Sequence, residues 1–232
     1  MSNRSIHTLL KSWDEECPLT REEAVEVLNL PEEEMDSLME CAYALRTKYK
    51  GKKVSVQLLT NVRSGNCTQN CAYCAQSKDS QAEIEKYKRV SDEKLYGDND
   101  LVDEKHLARH CIGLSGIGFS DEEIEDLADR IREMKKKDTQ ICCSIGFLTE
   151  KQARILKDAG LDRINHNLNS SRSFYPEICT THTYDQRVNN IKMLQSLGFE
   201  ICSGGIVGMG ESKEDIVDML MDLREINPES VP

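Results

Sequence analysis

Residues 54–74 read VSVQLLTNVRSGNCTQNCAYC, an apolar run leading straight into a loop that carries Cys67, Cys71 and Cys74. The run predicts a first strand over Val54–Thr60. The loop behind that strand separates two parallel α/β architectures. A doubly wound open sheet expects a Gly-rich phosphate turn there. Here that place holds three thiols within eight residues.

Downstream, one pattern recurs: a capping residue, an amphipathic helix, a Gly-containing turn and a short apolar segment. Ser120 with Glu123, Thr149 with Gln152, and Thr183 with Gln186 fit the capping box, and Ser212 with Asp215 is a shorter version of it. Between the helices DEEIEDLADRIREMKK, EKQARILKDAG and DQRVNNIKMLQSLG lie HCIGLSG, QICCSIG, RINHNL and EICSGGIVG, read as buried strands. Strands alternating with helices imply a parallel sheet built from right-handed crossovers. The expected class is α/β, a parallel (β/α) barrel of TIM type. Five strands can be counted, with ESVP at the C-terminus approaching a sixth.

A closed eight-stranded barrel takes about 250 residues. This chain of 232 reaches its first strand only after a helical stretch running from about Arg4 to Lys50, with Pro31 near a helix start and Gly51 as the stop. The expected organisation is a helical extension over residues 1–50 and an incomplete barrel over 51–232. The chain is expected to be truncated. Residues 78–109 read least clearly, because YGDNDLVDEKH breaks the helical pattern wanted between the first two strands.

A net charge of -11 offers no basic surface to neutralise a phosphate backbone, so nucleic-acid binding is not expected. No run approaches the ~20 apolar residues of a membrane helix, nor does the N-terminus read as a signal peptide. A cytoplasmic location is expected, where 10 cysteines point to metal or redox chemistry rather than disulfides. Cys17 and Cys41, on helical segments, read as small hydrophobes.

Three thiolates at Cys-x3-Cys-x2-Cys spacing can converge on one metal centre and leave a four-position site one ligand short. A structural zinc wants four closed ligands, whereas an iron-sulfur cluster can expose one iron to a ligand from outside the protein. A zinc knuckle with a distant fourth ligand remains the alternative. Further along, Cys111, Cys142 and Cys202 sit on three different strands. Strand alternation lets only one of Cys142 and Cys143 point inward, and it places Asn165, Asn167 and Asn169 on one face. Three amides on an inward face want a polar ligand or an internal hydrogen-bond network. His166, Cys179 and His182 carry no expectation of function: His166 alternates away from the asparagines, and the other two lie in a loop.

The spacing of the three cysteines, with Tyr73 just before the last and a first parallel strand behind them, resembles the radical S-adenosylmethionine family. The resemblance implies a [4Fe-4S] cluster on Cys67, Cys71 and Cys74, and S-adenosylmethionine on the fourth iron. NHNL, TTHTY and CSGGIVGMGE are similar to the sulfur-inserting members of that family, which act on dethiobiotin. That likeness implies a [2Fe-2S] sulfur donor on Cys111, Cys142 and Cys202, with Cys143 in the adjacent apolar place. It further implies S-adenosylmethionine and substrate contacts at Asn167, Asn169 and Arg187, a flavodoxin- or ferredoxin-type electron donor, and a homodimer in the complete protein. Gly204, Ile206, Gly208 and Glu211 resemble a family motif near adenine. Mutase or methylating relatives on the same barrel, and a noncatalytic metal-binding or electron-transfer module, are the competing readings.

Overall fold

The computed structural model describes residues 19–232; the expected helix start near Arg4 and the placement of Cys17 lie outside the described residues. The described chain opens with helix α1 (Arg21–Leu28), a 3-10 turn at Glu32–Glu34 behind Pro31, and α2 (Met35–Lys50). Gly51 ends α2 at φ 62°, a conformation glycine adopts without strain. A capping box at Thr20 and Glu23 starts α1, and the helix lies against the last helix of the chain, Arg21 pairing with Asp218 at 2.5 Å.

The sheet has five strands: β1 (Gln57–Arg63), β2 (Arg109–Leu114), β3 (Ile141–Ser144), β4 (Arg163–Asn165) and β5 (Glu200–Cys202). All are parallel and lie in chain order. The first strand begins three residues later than the apolar run suggests and continues through Asn61-Val62-Arg63, because Val62 still alternates into the core at 3% exposure. Beyond β5, Ser230 forms a parallel bridge with Cys202, so the approach to a sixth strand is present. The fold is a partial parallel (β/α) barrel.

All four expected capping signals are realised as reciprocal boxes, on α4 (Asp121–Met134), α5 (Glu150–Asp158), α7 (Tyr184–Ser196) and α8 (Lys213–Ile226). Each satisfies orphan donors at a helix start and so marks where the chain turns from strand to helix. The unclear stretch is also helical: α3 (Asp92–Glu104), capped by Ser91. Its pattern is obscured because Asp98 and Asn99 stand between Leu95 and Val102 on the buried side. Asp98 accepts from Thr60 Oγ1 at 2.6 Å, while Asn99 donates to the Met134 carbonyl at 3.2 Å and lies 3.2 Å from His110 Nδ1. A short helix α6 (Tyr175–Ile178), absent from the sequence pattern, completes the set.

Register sorts the sheet into two faces. Thr60, Ile112, Cys143, Ile164 and Ile201 form one row, every member 3% exposed or less, packed beneath the helices. The rows on either side of it are polar and point the other way. One holds Leu59, Cys111, Cys142, Arg163 and Glu200; the next holds Asn61, Gly113, Ser144, Asn165 and Cys202. An apolar helix-facing surface backs a polar, open one.

His110 sits on the helix side, fully buried, with Nε2 2.8 Å from Thr60 Oγ1. Burial holds its pKa down to about 4. The unfolded side chain titrates near 6.5, so the folded state gains its full advantage above that value and loses it as pH falls from 6.5 toward 4. The melting temperature should fall across that interval, and His110→Gln should flatten the fall while lowering stability at pH 7. An unchanged slope in the variant would remove His110 as the cause.

Candidate functional site

A cavity of about 480 Å³ opens at the C-terminal ends of the strands. Its floor is the polar face of the sheet, represented by Leu59, Asn61, Gly113, Ser144 and Asn165. Gly146 on its wall must lack a side chain, since a Cβ there would lie 2.3 Å from the Ile117 carbonyl oxygen.

The loop after β1 forms one side and is held in several places. The Ala72 amide donates to the Ile178 carbonyl at 2.9 Å, and Lys78 N to Gln69 O at 3.0 Å. Asn70 Nδ2 donates to Thr180 Oγ1 at 2.7 Å, and its Oδ1 accepts from the Thr180 amide. Within the loop, Cys74 N bonds to Cys71 O and Ser77 N to Cys74 O in two successive turns, and Cys67, Cys71 and Cys74 all line the cavity. Their thiols are free. Burial, and then the facing Cys179 thiol, push the Cys71 thiol up to about 12.

Opposite lies the segment after β4. Strand geometry ends at Asn165, so alternation is not what gathers the asparagines, contrary to expectation. The chain instead runs on beside residues 202–206: His166 N donates to Cys202 O, Asn169 N to Gly204 O, and Ile206 N to Asn169 O. Asn169 takes φ 71°, which an asparagine tolerates better than most residues. Asn165, Asn167 and Asn169 all face the cavity by this route. Asn167 Oδ1 is engaged by the Gly204 amide at 3.1 Å.

Arg187 reaches the same wall from α7. Its guanidinium bonds to the Tyr175 hydroxyl, the Asn167 carbonyl at 3.1 Å and His182 Nε2 at 2.9 Å. A donor on Nε2 fixes His182 with its proton on Nδ1, directed at Gln69 Oε1 at 3.1 Å. Burial, then the Arg187 charge, hold His182 down to about 4, and the same two causes in the same order hold His166 down to about 3. Both rings are neutral and both line the cavity. Glu211 accepts from the amides of Gly208 at 2.5 Å and Met209 at 2.7 Å, bracing the glycine loop ahead of α8.

The second set of cysteines lies on the polar face of the sheet. Cys111 and Cys142 are register partners, with Cys202 two positions further along its strand and 3.4 Å from Asn165 Nδ2. Cys143 is on the helix side, within the apolar core. The Cys142 thiol donates toward Cys111 and draws the Cys111 thiol down to about 7 against burial, with Arg109 and Arg163 adding their attraction. The same contact, with burial, pushes Cys142 up. Arg163 and Arg109 are in turn held by Glu200, at 2.7 and 3.2 Å.

Cys179 and His182 carry no role that their spacing in sequence suggests, yet they meet the three-cysteine loop. Cys71 Sγ lies 3.8 Å from Cys179 Sγ, which lies 3.2 Å from His182 Nδ1. Among the described residues, Cys71, Cys179 and His182 are the trio whose metal-binding atoms all fall within 4.8 Å of one another. The sequence carries no signal for the trio, because it forms only where Cys71 and Cys179 meet across 108 positions.

None of the described helices is long and apolar enough to cross a membrane. Among solved structures, methylornithine synthase (PylB) superposes with a TM-score of 0.85 over 96% of this chain and 66% of its own, at 17% identity, a likeness of fold. In sequence, the biotin synthase of Geobacillus kaustophilus (strain HTA426) is 40% identical over 215 residues, and that of Bacillus subtilis (strain 168) is 40% identical over the same length. Each match takes in 92% of this chain, which spans 65% and 64% of the respective relatives. The model of the radical SAM superfamily matches residues 61–223, from inside β1 through the three-cysteine loop and cavity wall into α8, and the chain belongs to that superfamily.

Proposed function

We propose that this chain is the larger part of a biotin synthase, inserting sulfur into dethiobiotin by radical chemistry. The observation that carries the reading is the coincidence of two thiol sets on one side of one sheet. Cys67, Cys71 and Cys74 border the cavity, while Cys111, Cys142 and Cys202 lie on the polar strand face that forms its floor. The 40% identity to biotin synthases supports the same assignment.

The donor sets fit the groups such a protein needs. Three free thiols on one pinned loop, not drawn together onto a single ion, suit a [4Fe-4S] cluster that leaves one iron to S-adenosylmethionine. Cys111, Cys142 and Cys202 suit a [2Fe-2S] cluster as three free thiols on one polar strand face, with the Arg163 guanidinium in the same row. When bound, the first cluster supplies the electron that cleaves S-adenosylmethionine, and the second supplies the sulfur.

The protein's own share is position and exclusion of water. Asn167 and Asn169 present amides to a polar ligand, and Arg187 presents a guanidinium whose direction is set by Tyr175 and Asn167. The neutral His166 and His182 rings add no charge to the pocket wall. The reading places residues 1–50 as a helical extension and 51–232 as barrel. It also carries an external electron donor of flavodoxin or ferredoxin type, a cytoplasmic location and a homodimeric assembly.

The test is anaerobic reconstitution with iron and sulfide, then absorbance and electron paramagnetic resonance with and without S-adenosylmethionine. Expected are a cluster spectrum perturbed by S-adenosylmethionine and 5'-deoxyadenosine release, with biotin formed from dethiobiotin by the complete protein and little turnover by residues 1–232 alone. Cys142→Ala should stop biotin formation while leaving 5'-deoxyadenosine release within about tenfold. Release without any biotin in the unsubstituted complete protein would point to a mutase or methylating reaction, and colourless protein holding only zinc would defeat both readings.

A further inference from the structure

We propose that Cys71, Cys179 and His182 form a binding site for a single divalent cation of zinc type in the cluster-free chain. The site is distinct from the three-cysteine cluster site and exclusive of it, because Cys71 belongs to both.

Tetrahedral zinc with Zn–S bonds of about 2.3 Å holds two sulfurs about 3.8 Å apart, and a sulfur and an imidazole nitrogen about 3.6 Å apart. Cys71 and Cys179 Sγ are separated by 3.8 Å, and Cys179 Sγ is 3.8 Å from His182 Nε2. The side chains thus stand near metal-binding positions before any ion arrives. All three are buried, yet Cys71 and His182 face the cavity, through which a cation and a water as fourth ligand can enter.

The surroundings suit His182 as a ligand through Nε2. Its Nδ1 proton is already directed at Gln69 Oε1, 3.1 Å away, the kind of outer contact that orients metal-bound imidazoles. Arg187 must release Nε2, and it keeps two anchors when it does so, the Tyr175 hydroxyl and the Asn167 carbonyl. Binding expels two thiol protons to solvent, and two thiolates then balance the dication. Cys179 otherwise has no part in the proposed chemistry, although its sulfur is gathered among Cys71, Asn70, Thr181 and His182.

The experiment is a Co²⁺ titration of the cluster-free full chain under reducing, anaerobic conditions. The expected result is one Co²⁺ per chain, with thiolate charge-transfer and tetrahedral ligand-field bands that Zn²⁺ abolishes. Cys179→Ala and His182→Ala should each weaken binding at least tenfold, whereas Cys67→Ala, which removes a cluster ligand, should leave it unchanged. Should a variant fail to fold, iodoacetamide labelling of the unsubstituted chain decides: Zn²⁺ should slow alkylation of Cys71 and Cys179 at least tenfold and that of Cys67 far less. No Co²⁺ binding, bands that persist in Cys179→Ala, bands lost in Cys67→Ala, or Cys179 labelling indifferent to Zn²⁺ would each overturn the proposal. The Cys67 comparison keeps this outcome separate from the fate of the cluster reading.

Discussion

Cys67→Ala or Cys74→Ala should remove the iron-sulfur absorbance of the reconstituted chain and lower 5'-deoxyadenosine release by more than about a hundredfold. Even outer groups that only orient a metal ligand cost 10–100-fold when removed, and a ligand itself should cost more. The loop gives no slack for a substitute to move in. Its backbone is tied to Gln69, Ile178 and the Asn70–Thr180 pair, so neighbouring groups keep their places when one thiol is lost. Cys143→Ala is the control, because Cys143 lies across the sheet among Ile112, Ile164 and the helices. That variant should lose stability and keep its cluster. Release within tenfold of the unsubstituted chain in Cys74→Ala would take the loop out of the chemistry.

The second large effect is on stability. Ile164 lies on β4, between β3 and β5, and is fully buried on the helix side. Ile164→Ala should cost about 2–5 kcal/mol, through lost transfer energy and the cavity left behind. Against a total of about 5–15 kcal/mol for a typical domain, that is a large fraction. Urea unfolding should show a lower midpoint with an unchanged slope. Leu59, 68% exposed on the opposite face of β1, is the matched comparison, and Leu59→Ala should stay within about 0.5 kcal/mol. Equal losses at the two positions would contradict the division of the sheet into an apolar and a polar face.

That division accounts for how much of the fold is legible in the sequence. The capping boxes at Ser120, Thr149, Thr183 and Ser212 depend only on residues three apart, and each appears in the structure. The apolar strands depend on local alternation, and with the capped helices they lead to the parallel fold. By contrast α3 is obscured, because Asp98 and Asn99 face Thr60 and His110 and interrupt the buried stripe between Leu95 and Val102. Apart from the Lys94–Asp98 pair within the helix, the bonds that make these polar positions stable are tertiary, to Thr60 and His110 on strands and to Met134 on α4, so the run of residues alone does not announce them.

Sequence alone therefore determined the parallel α/β class, the helix starts, the three-cysteine loop behind β1 and the opposite facing of Cys142 and Cys143, since spacing and alternation are local properties of the chain. Only the tertiary structure decided that Asn167 and Asn169 reach the cavity on a segment that is no longer strand, that Arg187 fixes the tautomer of His182, and that Cys179 comes within 3.8 Å of Cys71 across 108 residues. Those arrangements depend on which loops the sheet order brings to one end, and that is set by packing of the whole fold rather than by any short run of residues.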